Sequence, residues 1–230
     1  MPSFTLPHHV HIEYFTDPLC SWSWALEPHW LRLRQELGSQ LSWRYYMGGL
    51  LPDWERYDDP LNSVSRPAQM GPQWFHVRRE TGMDLDERIW LEDLPASSYP
   101  ACLAFKAAEI QGAEAAEAYL QRLRRAVMVE RANIARPEVL LELAREVAGA
   151  VALDPGQLSR DLEASQTLEA FRSDLKEARY REIGRFPTLV LHGPGERAVL
   201  LVGYRPYEVL LQAVRHAASL SAPVASLPRT

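Results

Sequence analysis

The pattern of apolar and polar residues in the first fifty positions predicts a strand, a helix and a second strand. Apolar side chains alternate with polar ones from Val10 to Phe15, which is typical of a strand. Over residues 22–37 they recur at helical spacing, and Pro28 inside this run is expected to kink the helix or delay its regular part. Residues 41–47 are again rich in strand-forming side chains. This end of the chain is therefore predicted to be β-α-β.

The rest of the chain divides into an irregular segment, a helical block and a closing unit. Residues 48–98 are rich in Gly, Pro, Asp and Trp, with short helices at best. Residues 100–181 carry apolar stripes at helical spacing, and prolines separate them. A turn at 193–196 divides two strand-like runs, and a final helix is expected over 206–220. The closing unit is therefore predicted to be β-β-α.

Composition and charge narrow the classes of function. The chain has 230 residues, 47% hydrophobic and 24% charged, which is enough for a large core. A net charge of −5 argues against a nucleic-acid partner, because such a surface needs a basic patch. No apolar run approaches the roughly 20 residues that span a bilayer, and no secretory leader is evident. Two cysteines do not make a disulfide framework, and the scattered histidines do not predict a metal site. We therefore expect a cytoplasmic protein without a membrane partner.

Cys20 is the candidate nucleophile, because it lies between the first predicted strand and the first predicted helix. The amides and the dipole at a helix N-terminus stabilise a thiolate, so we expect the pKa of this thiol to be lowered. The spacing is that of a Cys-x-x-Cys redox motif, but the fourth position is Ser23. A serine hydroxyl cannot attack a disulfide sulfur, whether Ser23 is native or an engineered replacement for cysteine.

Several segments, in order along the chain, resemble the DsbA-like thioredoxin-fold family, in its cytoplasmic bacterial branch with a Cys-Ser-Trp-Cys-Trp active site. The matching segments are Asp17 to Trp24, Gly48 to Pro52, Tyr99 to Ala104, Glu130 to Ile134 and Gly184 to Leu189. The resemblance implies an α/β, thioredoxin-like fold with a large inserted all-helical domain. Residues 8–60 and 182–222 would form the thioredoxin-like domain, and residues 61–181 the helical insertion.

The resemblance also implies which residues form the site. Cys20 corresponds to the attacking thiol of the family, and Ser23 stands where its resolving cysteine belongs. Pro187 corresponds to a cis-proline that lies beside the thiol and leaves the backbone of the preceding residue free to pair with an extended substrate. The residues expected to line the substrate site are Trp22, Phe186 and Thr188.

Two further residues each have two open interpretations. Glu13 is either the buried acid that some thioredoxin-like proteins use for proton transfer or an exposed strand residue. Cys102 is either a substitute resolving thiol that faces Cys20 or a core position of the first long helix, since sequence alone does not assign a pairing.

The first functional interpretation is a monothiol thiol–disulfide oxidoreductase that forms mixed disulfides through Cys20. Its partners would be protein or small-molecule thiols and disulfides, and it would need no cofactor beyond glutathione or another low-molecular-weight thiol as co-substrate. One alternative is a non-catalytic adaptor of the same family that delivers a partner to a protease. Another is a glutathione-binding kappa-type transferase or isomerase, although that branch has serine where this chain has Cys20. The sequence leaves the redox direction and the oligomeric state open.

Overall fold

A mixed four-stranded sheet joins the two ends of the chain. The computed structural model describes residues 5–59 and 64–220. The strands are β1 (Val10–Thr16), β2 (Leu41–Met47), β3 (Thr188–His192) and β4 (Ala198–Val202). Their order is β2-β1-β3-β4, with β1 parallel to β2 and the other neighbouring pairs antiparallel. The predicted β-α-β and β-β-α units are confirmed.

The strand register brings three chain segments to one edge of the sheet. Thr16 at the end of β1 pairs with Met47 at the end of β2, and Phe15 pairs with Thr188 at the start of β3. The segments that follow β1 and β2 and the segment that precedes β3 therefore meet there. Cys20 lies in the first of these segments, and Pro187 immediately precedes Thr188.

Nine α-helices lie among the described residues. They are α1 (Ser21–Leu37), α2 (Met70–Thr81), α3 (Ile89–Glu92), α4 (Tyr99–Gln111), α5 (Ala113–Val129), α6 (Pro137–Ala148), α7 (Pro155–Asp161), α8 (Ser165–Tyr180) and α9 (Tyr207–Ser219). Pro28 lies inside α1 and does not delay its start, and its ring is exposed. Helix α2 is longer than expected, because Trp74 and Val77 bury one of its faces.

The two faces of the sheet are covered differently. On one face Tyr14 packs against Trp30 of α1, with ring centroids 5.5 Å apart. On the other face Phe15 stacks on Tyr46, and both lie in a small cluster with Ala178 of α8. The main hydrophobic core extends without a break from the first of these faces into the helical block. The expected domain limits at 60 and 222 lie outside the described residues.

Within residues 5–59 and 64–220, no helix is both long and apolar enough to cross a bilayer.

Candidate functional site

Cys20 occupies the N-cap position of α1. Its backbone is extended, its amide donates to the carbonyl of Asp17 at 3.1 Å, and its own carbonyl accepts the amide of Trp24 at 3.1 Å. The chain therefore leaves β1, makes one tight turn and enters the helix at the cysteine. This arrangement fixes the sulfur at the edge of the sheet where β1 and β2 end.

The thiol lies beside the segment that precedes β3. The Phe186-Pro187 peptide bond is cis, and the Cys20 sulfhydryl donates to the carbonyl oxygen of Phe186 at 3.4 Å. The predicted cis-proline beside the sulfur is therefore confirmed. Thr188 is buried, and its hydroxyl donates to the carbonyl of Arg185 at 2.7 Å. Thr188 pairs with Phe15 of β1 and Val202 of β4, so this residue, expected to line the substrate site, has almost no exposed surface.

Gly48 and Phe186 hold that segment in place. Gly48 follows β2 directly, and its amide donates to the carbonyl of Thr16 at 2.7 Å. A Cβ atom at Gly48 would lie only 1.9 Å from Cζ of Phe186. The phenyl ring therefore rests directly on the glycine backbone, and it also packs against the small cluster around Phe15 and Tyr46.

The expectation that the pKa of Cys20 is lowered is wrong. Only 5% of Cys20 is exposed, and burial raises the pKa of its thiol, while Ser23 and the cation of Arg124 oppose that rise. Burial disfavours the charged thiolate more strongly than the helix N-terminus favours it. A helix N-terminus activates an accessible thiol, whereas this sulfur is buried and lies against the segment that precedes β3. The neutral thiol is also the form that donates to Phe186.

Ser23 lies one turn into α1 and is fully buried. Within the part of the chain that the structure describes, its hydroxyl makes no hydrogen bond of good geometry, but it lies close enough to Cys20 to favour the thiolate. A neutral hydroxyl at this position cannot take the part of the second sulfur in disulfide exchange.

Cys102 occupies a core position in α4 with no exposed surface, and both cysteines are free thiols. Its sulfhydryl donates to Oδ2 of Asp17 at 3.3 Å. Burial and the nearby carboxylate raise the pKa of Cys102 well above its ordinary value. The resolving role of Cys102 stays a prediction.

Asp17 is the residue of this site that sequence reasoning missed. Its side chain is fully buried and accepts four hydrogen bonds; the donors are the amides of Leu19 and Leu50, the hydroxyl of Ser98 and the thiol of Cys102. Burial raises the pKa of Asp17, although these donors oppose the rise. Asp17 also lies close enough to Cys20 to favour its neutral form. The available signal was an aspartate three residues before the cysteine.

Glu13 is buried, as one of its two interpretations expected, but it belongs to an ion-pair cluster. Its carboxylate accepts from Arg181, from Nε2 of His192 at 2.7 Å and from the hydroxyl of Tyr46 at 3.2 Å. Burial alone would raise the pKa of Glu13, but Arg181 and His192 more than offset it and the pKa is lowered. The carboxylate is therefore held ionised, whereas proton transfer requires an acid that exchanges its proton. The buried acid that interacts with Cys20 is Asp17.

Aromatic rings cluster around Trp22, two residues after Cys20. Trp22 is half-buried, and its ring lies 5.9 Å from that of His76 in α2 and 6.0 Å from that of Tyr204 after β4. Tyr204 in turn hydrogen-bonds His29 at 3.0 Å. This set of Trp22, His29, His76 and Tyr204, which we call the aromatic rim, gives the neighbourhood of Cys20 an apolar surface with polar edges.

Comparison with known proteins points to one fold. A family model described as thioredoxin matches residues 14–212. The ClpXP adapter protein SpxH of Halalkalibacterium halodurans is 28% identical over 88% of this chain and 66% of its own length. The ClpXP adapter protein SpxH of Bacillus subtilis is 32% identical over 78% of this chain and 57% of its own length. The chain thus spans about two thirds or less of these two relatives.

Among solved structures, the cytosolic disulfide reductase DsbM of Pseudomonas aeruginosa is similar. It has a TM-score of 0.64 and 25% identity, and the alignment covers 83% of this chain and 88% of that one. The family match and this likeness confirm the expected thioredoxin-like fold with a helical insertion.

Proposed function

The chain belongs to the thioredoxin family, in the DsbA-like form that carries a helical insertion, and we propose that it is a protein-binding adaptor. In this proposal it links a client protein to a ClpXP protease, and the surface around Cys20, Pro187 and the aromatic rim receives a partner. The protein would then act in the cytoplasm.

One observation carries the proposal: the site has a single, buried thiol whose neutral form is favoured. Ser23 replaces the second sulfur, and burial raises the pKa of Cys20. Disulfide exchange needs a thiolate to attack and a second thiol to release the product. The site keeps the shape of a thioredoxin-like binding surface while both chemical requirements for rapid turnover are weakened.

The names of the curated relatives also support the adaptor proposal. The two curated relatives described above are named as ClpXP adapters. Because this chain spans only part of their length, the identity of both partners is a proposal for this protein. A binding surface that includes a half-buried tryptophan and a tyrosine suits a protein partner, since these two residue types often dominate the affinity of protein interfaces.

A binding and degradation assay tests the adaptor function. The full chain is titrated against purified ClpX from the source organism, and candidate clients are followed in ClpXP reactions with and without the chain. We expect direct binding and faster degradation of a bound client. We expect Trp22→Ala to weaken partner binding about tenfold, as loss of an aromatic anchor does. Tyr180→Ala is the matched control, because Tyr180 is an exposed aromatic residue at the end of α8. Absence of binding to ClpX contradicts the proposal.

A second candidate is monothiol disulfide exchange, favoured by the thiol beside the cis-proline. In this reaction the Cys20 thiolate attacks a substrate disulfide, one sulfur of the substrate leaves as a thiolate, and a mixed disulfide with Cys20 remains. A small thiol such as glutathione then attacks the substrate sulfur of that mixed disulfide. Cys20 leaves as a thiolate, and a disulfide between glutathione and the substrate remains.

Cys20→Ser separates the two candidates. A serine at this position keeps the surface but removes the sulfur. Adaptor binding and client degradation are expected to persist in this variant, whereas exchange activity with glutathione would be lost. If binding and degradation disappear together with the sulfur, the adaptor works through a mixed disulfide and the two functions are one.

A further inference from the structure

A buried cation lies against the two elements that hold the cysteine. Arg124 of α5 has no exposed surface, and it donates to the carboxylate of Glu27 in α1 and to the hydroxyl of Thr16 at the end of β1. Its Nε is also buried, and within the described residues it has no hydrogen-bond partner. One N–H donor of the guanidinium is therefore left without an acceptor.

The partners of Arg124 belong to the two elements that hold Cys20. Thr16 ends β1 immediately before the turn to the cysteine, and Glu27 lies seven residues after Cys20 on the helix that Cys20 caps. The helical insertion thus places a cation against the inside of the strand–turn–helix unit. The charged and titratable groups that interact electrostatically with Cys20 include Asp17, Arg124, Tyr14 and Tyr57. Among these groups only Arg124 carries a positive charge.

We propose that Arg124 is a positioning residue that provides the positive charge for the thiolate form of Cys20, and that Glu27 limits how strongly the sulfur experiences it. The inference holds whether Cys20 serves an adaptor surface or disulfide exchange, because it concerns the ionisation of the sulfur itself.

General energetics argue against a purely structural explanation of the pair. A buried ion pair loses much of its attraction to the cost of removing two charges from water, and apolar residues of similar volume are often at least as stabilising. A contribution to the stability of the fold is therefore a weak explanation for the Arg124–Glu27 pair. Its contacts with both β1 and α1, the two elements that hold Cys20, give it an electrostatic use.

The chain offers a matched control pair on the same two helices. Arg34 of α1 pairs with Glu117 of α5 at 2.5 Å, and Nε of Arg34 likewise has no partner among the described residues. At the helical rise of 1.5 Å per residue, Arg34 lies about 20 Å farther along α1 than Cys20. Substitution of this pair perturbs the same helix contact without changing the charge near the sulfur.

The test measures the alkylation rate of Cys20 against pH, with the Cys20 peptide quantified by mass spectrometry and folding checked by circular dichroism. Glu27→Gln leaves the cation without its counter-charge, and we expect the pKa of Cys20 to fall by roughly 1 unit. Arg124→Gln is expected to raise it by a similar amount, and Arg124→Lys to leave it nearly unchanged. Glu117→Gln is expected to have no effect on Cys20.

Opposite shifts in the two single variants support the proposal, because simple loosening of the fold would move both in the same direction. If Arg124→Gln does not fold, Glu27→Gln and Arg124→Lys still decide the question. A folded Glu27→Gln protein in which the pKa of Cys20 rises or stays the same overturns the proposal, as does an equal fall in Glu117→Gln.

Discussion

The two thiols of this chain are both buried and both favour the neutral form, yet their surroundings differ. Cys20 caps α1 and donates to a backbone carbonyl, with 5% of its surface exposed. Cys102 lies inside α4, donates to the carboxylate of Asp17 and has no exposed surface. The first sulfur meets an uncharged acceptor and a nearby cation, whereas the second meets the carboxylate directly.

The comparison shows that a helix N-terminus does not by itself activate a cysteine. The dipole and the free amides favour the thiolate, but their effect falls off quickly and depends on solvent access to the sulfur. At Cys20 burial outweighs the dipole and the amides, so the pKa of the thiol is raised. This rise is smaller than the rise at Cys102, because Ser23 and Arg124 oppose it. The difference between the thiols is therefore electrostatic as well as steric.

The largest expected effect comes from Ser23→Cys. A second sulfur one turn into α1 attacks the mixed disulfide of Cys20 intramolecularly, and a well-placed group can reach effective concentrations of about 10⁵ M. We expect the single-turnover rate at which the pre-reduced protein reduces an insulin-type disulfide, without added glutathione, to rise by roughly two orders of magnitude or more as Cys20 and the new thiol become oxidised to a disulfide. Ser23→Ala should stay as slow as the unaltered chain. If the unaltered chain already matches Ser23→Cys, Cys102 resolves the adduct and the contrast between the thiols fails.

Alkylation of the native protein sharpens the same contrast. At pH 8 we expect Cys20 to react about tenfold or more faster than Cys102, because reaction at Cys102 requires opening of the core around α4. The two peptides are quantified separately by mass spectrometry, and both thiols should react at similar rates once the chain is unfolded in denaturant. Equal rates in the folded protein would show that the surroundings of Cys102 open as readily as those of Cys20.

Asp17→Asn is expected to affect the two thiols unequally. Asp17 accepts the sulfhydryl of Cys102 directly, and its charge acts on Cys20 only through space. Removal of the carboxylate should lower the pKa of Cys102 by about 1 unit and that of Cys20 by less. The pH dependence of alkylation of each cysteine measures both shifts. A larger fall in the pKa of Cys20 would show that Asp17 acts mainly on Cys20 and not on Cys102.

The smallest effect is a loss of stability at alkaline pH. A thiol whose folded pKa is raised stabilises the protein fully below its unfolded pKa of about 8.5, and this contribution is lost as pH rises toward the folded pKa. Between pH 8.5 and 9.5 each thiol can account for up to about 1 kcal/mol of the free energy of unfolding. Urea titrations at several pH values should show that Cys102→Ala removes more of this pH-dependent loss of stability than Cys20→Ala does. The reverse order would contradict the ranking of the two pKa values.

Local patterns predicted the elements and the general place of the site. The alternation after Val10 and the helical spacing after Trp22 identified β1 and α1, and the family motif placed Pro187 beside Cys20. These features depend on residues that are neighbours in sequence or that belong to a known motif. For that reason they could be read without a structure.

The electrostatic character of the site could not be predicted in the same way. It depends on Arg124 and Cys102, which helices α5 and α4 bring in from the middle of the chain, and on Asp17, which resembles an ordinary turn residue. Glu13 had two open interpretations, a buried acid or an exposed strand residue, and its partners Arg181 and His192 come from distant segments and hold it ionised. The chemical effect of a charged side chain depends on neighbours that are brought together only when the chain is packed.

The contact between Gly48 and the ring of Phe186 has a consequence for the thermodynamics of association. The segment before β3 is fixed against the end of β2 before any partner arrives, since the ring lies where even a methyl group would not fit. Ordering a flexible loop on binding costs conformational entropy and weakens affinity. Here that cost falls on folding instead, so the partner proposed to dock beside Cys20 would meet a backbone that is already ordered.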